Sequence, residues 1–566
     1  MELGFSNDVD TLSVYRSIQD RKIARYKQLL GDSVMQELRQ SFFDVIVITA
    51  IDEEQKAHYE RMIKQKIEQR LIPSFVKYFV IADPVGAKIG CGGSTLYTLA
   101  CLSQLLTPDV LSNTKVLLLH AGGYSKRLPN HSTSGKIFAS LPFQLEPNGV
   151  AITMLEMKII ILIDFPISMK PGIFLACSDD IELFESKGMT MTAPGFTALA
   201  HPGTIDVGLG HGIFILEHND KYTPNQPNKC VRYLHKPSKA KMEQEGAILP
   251  NNQVLLDSCY FFDSDTTKLL LAYYNANSPI QCEIDAYSDF LQPLGSCAKG
   301  DYFENKNNVT VYTPLIAQER KKLFDLLNNN HTQLTALPLN PSSFIHIGTC
   351  HEYIEHFTLN FPKIGSVNVV YSRLDDSKLI DANSVLIHCL FDQGRISIQS
   401  SSVLEYCQLI NVNASIGQRC IVSDIEYKGD GKGASLTIPS NTFIQTLCIN
   451  NKGYVTVLFG VDDALKATSN PTFLGAPLQQ LLTKHSLATE SVWKTDDHSL
   501  WTASLFPLCA SPTESVIGSL ALLGDAATTQ SSVVATRYSL EQCLSEKDLL
   551  NQSSRRARLT ESIKNK

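Results

Sequence analysis

Between residues 44 and 262 short apolar runs alternate with longer amphipathic ones. DVIVIT (44–49), KYFVIA (77–82) and KVLLL (115–119) have the unbroken apolar character of buried strands. DEEQKAHYERMIKQKIEQR and STLYTLACLSQLL, which separate them, have helical spacing, and Ser94 stands where the second would take its N-cap. Strands that alternate with helices predict an α/β domain whose mixed, mostly parallel sheet carries helices on its faces. The pattern continues with a helix over 154–161 and a strand over 173–177 that runs into Ser178-Asp179-Asp180. Further strands are expected at 212–216, 231–234 and 254–262. Residues 10–40 read as a mixed-charge amphipathic covering helix.

The last third has another rhythm. Ile398, Leu404, Ile410, Ile416 and Val422 recur every six residues, and Ile438 and Ile444 resume that spacing after the loop EYKGDGKGAS. A six-residue apolar period predicts a parallel β-helix of the left-handed type, with each apolar residue at the same place in successive rungs. The expected domains are therefore an N-terminal helical region (1–40), an α/β domain (41–375) and a β-helix-like C-terminal domain (376–566). Residues 470–566 hold both tryptophans and no readable motif, and the polar end SSRRARLTESIKNK is expected to fray.

Composition narrows the function. The 566-residue chain has a net charge of −7, which argues against general binding to nucleic acid or an anionic membrane. The opening MELGFSNDVDTL lacks a signal-peptide layout, and the best apolar run, Ile159 to Ile163, is far short of a bilayer span. A cytoplasmic protein is expected. The 14 cysteines contain no C-x-x-C pair, so they read as small buried hydrophobes rather than zinc ligands or disulfides.

The chemistry concentrates in HAGGYSKRLPNHSTSGK, residues 120–136, directly behind the third apolar strand. Crevices beyond the carboxyl ends of parallel strands are where α/β proteins bind ligands. Gly122 and Gly123 allow close backbone approach, and Arg127 and Lys136 add positive charge, so the stretch reads as a phosphate site. It is not a Walker A loop, because Gly135-Lys136 is followed by Ile137 and Asn130 stands where its first glycine belongs. Nor is there a third glycine for G-x-G-x-x-G.

Strand, G-G-x-S-x-R-L-P and then G-K resemble the signature of the sugar-1-phosphate nucleotidyltransferases. GIFLACSDD is similar to their metal-holding strand, HGIFIL and VRYLHKP to the strand pair ending in Glu-Lys-Pro, and SSFIHIGT to the late Asp-Ile-Gly-Thr element. The wording of HAGGYSKRLPN, DDIELF, GFTALAHP, HKPS and CEIDAYSDFL resembles the GDP-L-fucose pyrophosphorylase family over nearly the whole chain.

That resemblance implies GTP and L-fucose 1-phosphate as substrates, GDP-L-fucose and pyrophosphate as products, and Mg²⁺ or Mn²⁺ as cofactor. It implies that Gly122 and Gly123 hold the triphosphate, that Arg127 and Lys136 neutralise it, that Asp179 holds the metal and that Lys236 holds the sugar phosphate. Departures are His235 where relatives carry glutamate, and His346 where they often carry a second metal aspartate. Asp180 is open between a metal helper and a helix cap, and Glu283 and Asp285 between sugar-hydroxyl contacts and a helix-start acidic pair. Two β-α units precede the signature instead of following it, which suggests a circular permutation with both early strands central and Gly92, Gly93 and Ser94 beside the base. The other reading is an added N-terminal extension. Another sugar 1-phosphate as substrate, or a non-catalytic nucleotide-sugar sensor, are the rival functions. Oligomeric state stays open, with the C-terminal domain a place where copies could meet.

Overall fold

A computed structural model describes residues 9–31, 34–307, 309–374, 378–430, 433–524 and 536–564. The chain forms two compact units, each built from two segments: Met1–Gly123 with Leu155–Ile345, and Tyr124–Met154 with His346–Lys566. The division thus assigns residues 124–154 to the later unit. The boundary expected between 375 and 376 falls outside the described residues.

The earlier unit is centred on a nine-stranded sheet. Its order is Lys77–Ala82, Val45–Ala50, Lys115–His120, Gly172–Cys177, Gln253–Asp263, Phe196–Thr204, Leu334–Pro338, Asn228–His235, Gly212–Leu216. The first four strands run parallel. Beyond Gly172–Cys177 most neighbours are antiparallel, so the sheet is mixed as expected but not mostly parallel. Val45–Ala50 is central and buried along its whole length, as its apolar run requires. Lys77–Ala82 was expected to be central too, but it is the edge strand. Its first half is exposed or half-buried, and Lys77 is the kind of charged residue that guards an open edge. Both early strands nonetheless extend the same sheet as Lys115–His120, and do not form a separate layer.

Between these strands, helix Glu53–Glu68 is capped by the Asp52 side chain, which accepts from the Gln55 N–H. The next helix starts at Gly90, four residues before its expected N-cap, so Ser94 lies inside the helix and is buried. Its glycines are needed for close packing: the Gly92 N–H donates to the Ile284 carbonyl at 2.7 Å, and a Cβ there would lie 2.9 Å from that oxygen. A Cβ on Gly93 would lie 2.7 Å from that of Ile89.

In the later unit three parallel ladders stack short strands. Val385–Ile387 pairs with Val403–Glu405, Leu390–Asp392 with Gln408–Ile410, and Ile396–Ile398 with Asn413–Ile416, partners lying 18 residues apart. Register therefore recurs every third step of the six-residue series and not at each step as expected. Ile398, Leu404 and Ile410 lie on three different ladders. Ile398 faces Ile416 and Leu404 faces Val422, with Ile438 and Ile444 on the next strands, and these six partners are buried. Ile410 departs from them, being half-exposed while its neighbour Leu409 is buried. The antiparallel strand Gly453–Gly460 continues the first ladder. The polar end expected to fray is instead helix Leu549–Lys564, with Arg556 and Leu559 buried. Among the described residues no helix is long and apolar enough to cross a membrane. Among those residues, too, all 14 cysteines are free thiols.

Candidate active site

The strand Lys115–His120 delivers Gly122 and Gly123 at its carboxyl end. Thr49 Oγ1 receives the Ala121 N–H at 3.1 Å and the Gly122 N–H at 3.4 Å, which fixes where the turn begins. Gly123 has φ +94°, a backbone conformation that favours glycine, and a Cβ there would meet nothing within 4 Å.

In the later unit the signature continues as two single 3₁₀ turns, Pro129–Ser132 and Lys136–Phe138, hinged at Gly135 with φ +82°. Its body from Asn130 to Ser134 is buried, whereas Arg127 is exposed and Lys136 half-buried. A buried loop that leaves its cations accessible suits an anionic ligand.

Asp179 is half-buried at the corner between strands Gly172–Cys177 and Asp180–Phe184. Cys177, Asp179 and Asp180 could bring one ligand atom each to within 4.8 Å of one another. The three are not equivalent. Asp180 opens a strand rather than capping a helix, it is fully buried, and its Oδ1 accepts from Lys158 Nζ at 2.8 Å. Burial pushes its carboxyl up to about 7 despite the lysine. The Cys177 thiol is likewise driven up by burial and is a soft donor. Asp179 is the hard, partly accessible oxygen donor that fits Mg²⁺, an ion usually held by one or two carboxylates plus substrate phosphates.

Behind this corner lies a buried polar network that the sequence reading did not find. Glu182 Oε2 accepts from His201 Nε2 at 3.0 Å and from Ser258 Oγ at 3.1 Å, and Lys158 Nζ lies 3.8 Å from its Oε1. Burial opposes charge on Glu182, but His201 and Lys158 hold its carboxyl below the ordinary range. The available signal was Lys158 itself, a lysine inside the apolar run MLEMKIIIL, where only a buried partner makes it tolerable.

At the far side of the sheet, His235 Nδ1 lies 3.2 Å from the Tyr233 hydroxyl, and its Nε2 is buried without a hydrogen-bond partner. Burial lowers this imidazole's basicity, so it is neutral near pH 7. Lys236 is exposed, with φ +46° and its N–H on the His211 carbonyl at 3.0 Å. Glu283 is engaged by Lys88 at 3.2 Å and by the Thr310 N–H at 3.0 Å. Asp285 Oδ1 accepts the N–H groups of Tyr287 and Ser288 at 2.9 and 2.7 Å, just ahead of the short helix Ser288–Leu291. His346 lies in the later unit with Nδ1 3.4 Å from Glu352 Oε2. Burial raises the Glu352 carboxyl, but His346 and the Gly348 N–H outweigh it and bring it down to about 2.

The fucose pyrophosphorylase domain, as a family model, matches residues 108–511, a span that takes in the signature, the Asp179 corner and the parallel ladders. The chain belongs to the fucose pyrophosphorylase family. It is 36% identical to the fucose-1-phosphate guanylyltransferase of Homo sapiens over 94% of this chain and 92% of that one. Identity to the Mus musculus protein of the same name is also 36%, over 89% of each chain. A bifunctional fucokinase/GDP-fucose pyrophosphorylase of Arabidopsis thaliana is 24% identical over 84% of this chain but only 48% of its own length. Family membership thus extends over the two units rather than the signature alone.

Proposed function

We propose that this chain transfers GMP from GTP to β-L-fucose 1-phosphate, releasing pyrophosphate and forming GDP-L-fucose. The observation that carries the reading is family membership across nearly the whole chain, with relatives named for that activity at 36% identity. The sugar phosphate is already anionic near neutral pH, so its oxygen attacks the α-phosphorus in line without a general base. The protein's work is positioning and charge neutralisation.

Gly122 and Gly123 bring backbone donors to the triphosphate, and Arg127 and Lys136 neutralise charge that builds on the α-phosphoryl group and the departing pyrophosphate. Lys236 holds the fucose phosphate, with His235 beside it offering a neutral imidazole to a sugar hydroxyl. Asp179 would hold Mg²⁺ or Mn²⁺, which when bound supplies charge stabilisation of the phosphates. Asp180 is assigned to the Lys158 pair instead. The three parallel ladders support reading the later unit as a β-helix, and Val45–Ala50, internal to the main sheet and buried throughout, supports a permuted order of units.

Pyrophosphate release measured across nucleotide and sugar-phosphate pairs tests this. Release is expected with GTP and fucose 1-phosphate, dependent on Mg²⁺ or Mn²⁺. Release only with another pair would overturn the substrate assignment.

A further inference from the structure

The signature segment has little regular structure of its own, so its shape must be imposed by what surrounds it. Within the later unit, most of that comes from residues far along the chain. Asn130 Nδ2 donates to Glu405 Oε1 at 3.0 Å, and the buried Glu405 also accepts from Ser423 Oγ at 2.8 Å and the Tyr353 hydroxyl at 3.1 Å. Arg556, on the C-terminal helix, donates from Nη1 to Ser134 Oγ at 3.0 Å and from Nη2 to Thr133 Oγ1 at 3.1 Å. Its Nε and Nη2 also grip both oxygens of Asp424, each at 2.7 Å. The guanidinium lies over the Tyr406 ring, 4.1 Å from its centre.

The geometry points to Arg556 as a positioning residue for the transfer reaction. Its charge is neutralised by buried Asp424, so it has no need of the loop for pairing. Of the three N–H donors left after the Asp424 pair, two go to the hydroxyls directly before Gly135, the hinge that leads into Lys136. Thr133 Oγ1 in turn donates to the Asn130 carbonyl, so the guanidinium fixes the body of the turn as well as its exit. A planar fork can hold a carboxylate and two hydroxyls at once; a lysine ammonium is a single point with three donors and cannot reproduce that geometry. Arg556 therefore acts through Thr133 and Ser134 on the placement of Lys136. This rests on the reading of Lys136 as a phosphate contact.

The test uses the full-length protein with Arg556→Lys, with Thr133→Val/Ser134→Ala, and with all three changes combined. Arg556→Lys is expected to lower kcat about tenfold to a hundredfold, the scale for misplacing a reacting group by a fraction of an ångström to an ångström. KM for fucose 1-phosphate should stay within about twofold, since uniform substrate binding is not what is lost. The hydroxyl variant keeps the Arg556–Asp424 pair and should reproduce the kcat loss, and the triple variant should lose no more than the worse of the two. Hydrogen exchange should speed up at amides 130–137 and stay unchanged in the strand Val385–Ile387.

Losses that multiply in the triple variant, an unchanged kcat, or exchange that rises equally throughout the unit would each overturn the proposal. Should Arg556→Lys fail to fold, the hydroxyl variant alone decides. A wild-type protein inactive with GTP and fucose 1-phosphate would overturn the functional reading instead, and the exchange comparison would still decide the positioning.

Discussion

Arg127 is exposed just before the buried stretch Leu128–Ser134, and Cys350 Sγ donates to its carbonyl at 3.5 Å. Its main chain is therefore held by the fold while its guanidinium contributes little to packing. Arg127→Ala should lower kcat by about a hundredfold, the scale of one lost transition-state charge contact. Unfolding free energy should change by no more than about 0.5 kcal/mol, as for an ordinary surface site. Steady-state kinetics with chemical denaturation checks both, and a large loss of stability would make this arginine structural. Asp180 shows the opposite arrangement. It adjoins Asp179 in sequence, but Asp180 begins the buried strand and points its carboxylate inward onto Lys158, whereas Asp179 stays in the half-buried corner before the strand. Adjacent letters gave no way to tell the accessible carboxylate from the buried one.

At the scale of elements, the helix Gly90–Leu106 shows why a glycine cluster has two readings. Its first turn packs against the backbone of 284–286, and Gly90, with φ +70°, would put a Cβ 2.5 Å from the Ile284 carbonyl oxygen. Gly92→Ala should destabilise the fold by about 1–3 kcal/mol, the usual range for overpacking. Thermal unfolding measures it, and weaker GTP binding with unchanged stability would instead favour a nucleotide contact for these glycines. Seven of the nine strands of the main sheet were legible from their apolar runs, whereas Phe196–Thr204, broken by His201 and Pro202, and Leu334–Pro338 were not. Val116 to Leu119 are fully buried where the pattern put a buried strand, and every third member of the six-residue series is a ladder partner. The edge position of Lys77–Ala82 was not legible, since a run of apolar residues does not say how many neighbours the strand has. The C-terminal helix was missed for a related reason: a polar helix with two adjacent arginines looks like a solvated tail unless the acid that buries one of them is known. Asp424 is 132 residues away in the chain.

Over the whole molecule, the later unit carries carboxylates that favour it only while ionised. Burial works against Asp424, but Arg556 holds its carboxyl below the ordinary range, and Glu352 is brought down to about 2. A carboxylate with a depressed folded-state pKa adds stability above its unfolded value, about 4, and loses it as pH falls through the folded value. The midpoint temperature of this unit should therefore be nearly flat above pH 5 and fall steadily between about 4 and 2. Asp424→Asn should lessen that slope; an unchanged acid limb in this variant would show that the pair does not set it. The same pair has a consequence for biosynthesis. Arg556 lies 422 residues beyond Ser134, so at ribosomal speeds the nascent signature waits roughly 20 to 80 s for the helix that seats it. Throughout that interval the phosphate loop has been translated but its last partner has not, and a ribosome that stops short of the final helix releases a chain that cannot complete it.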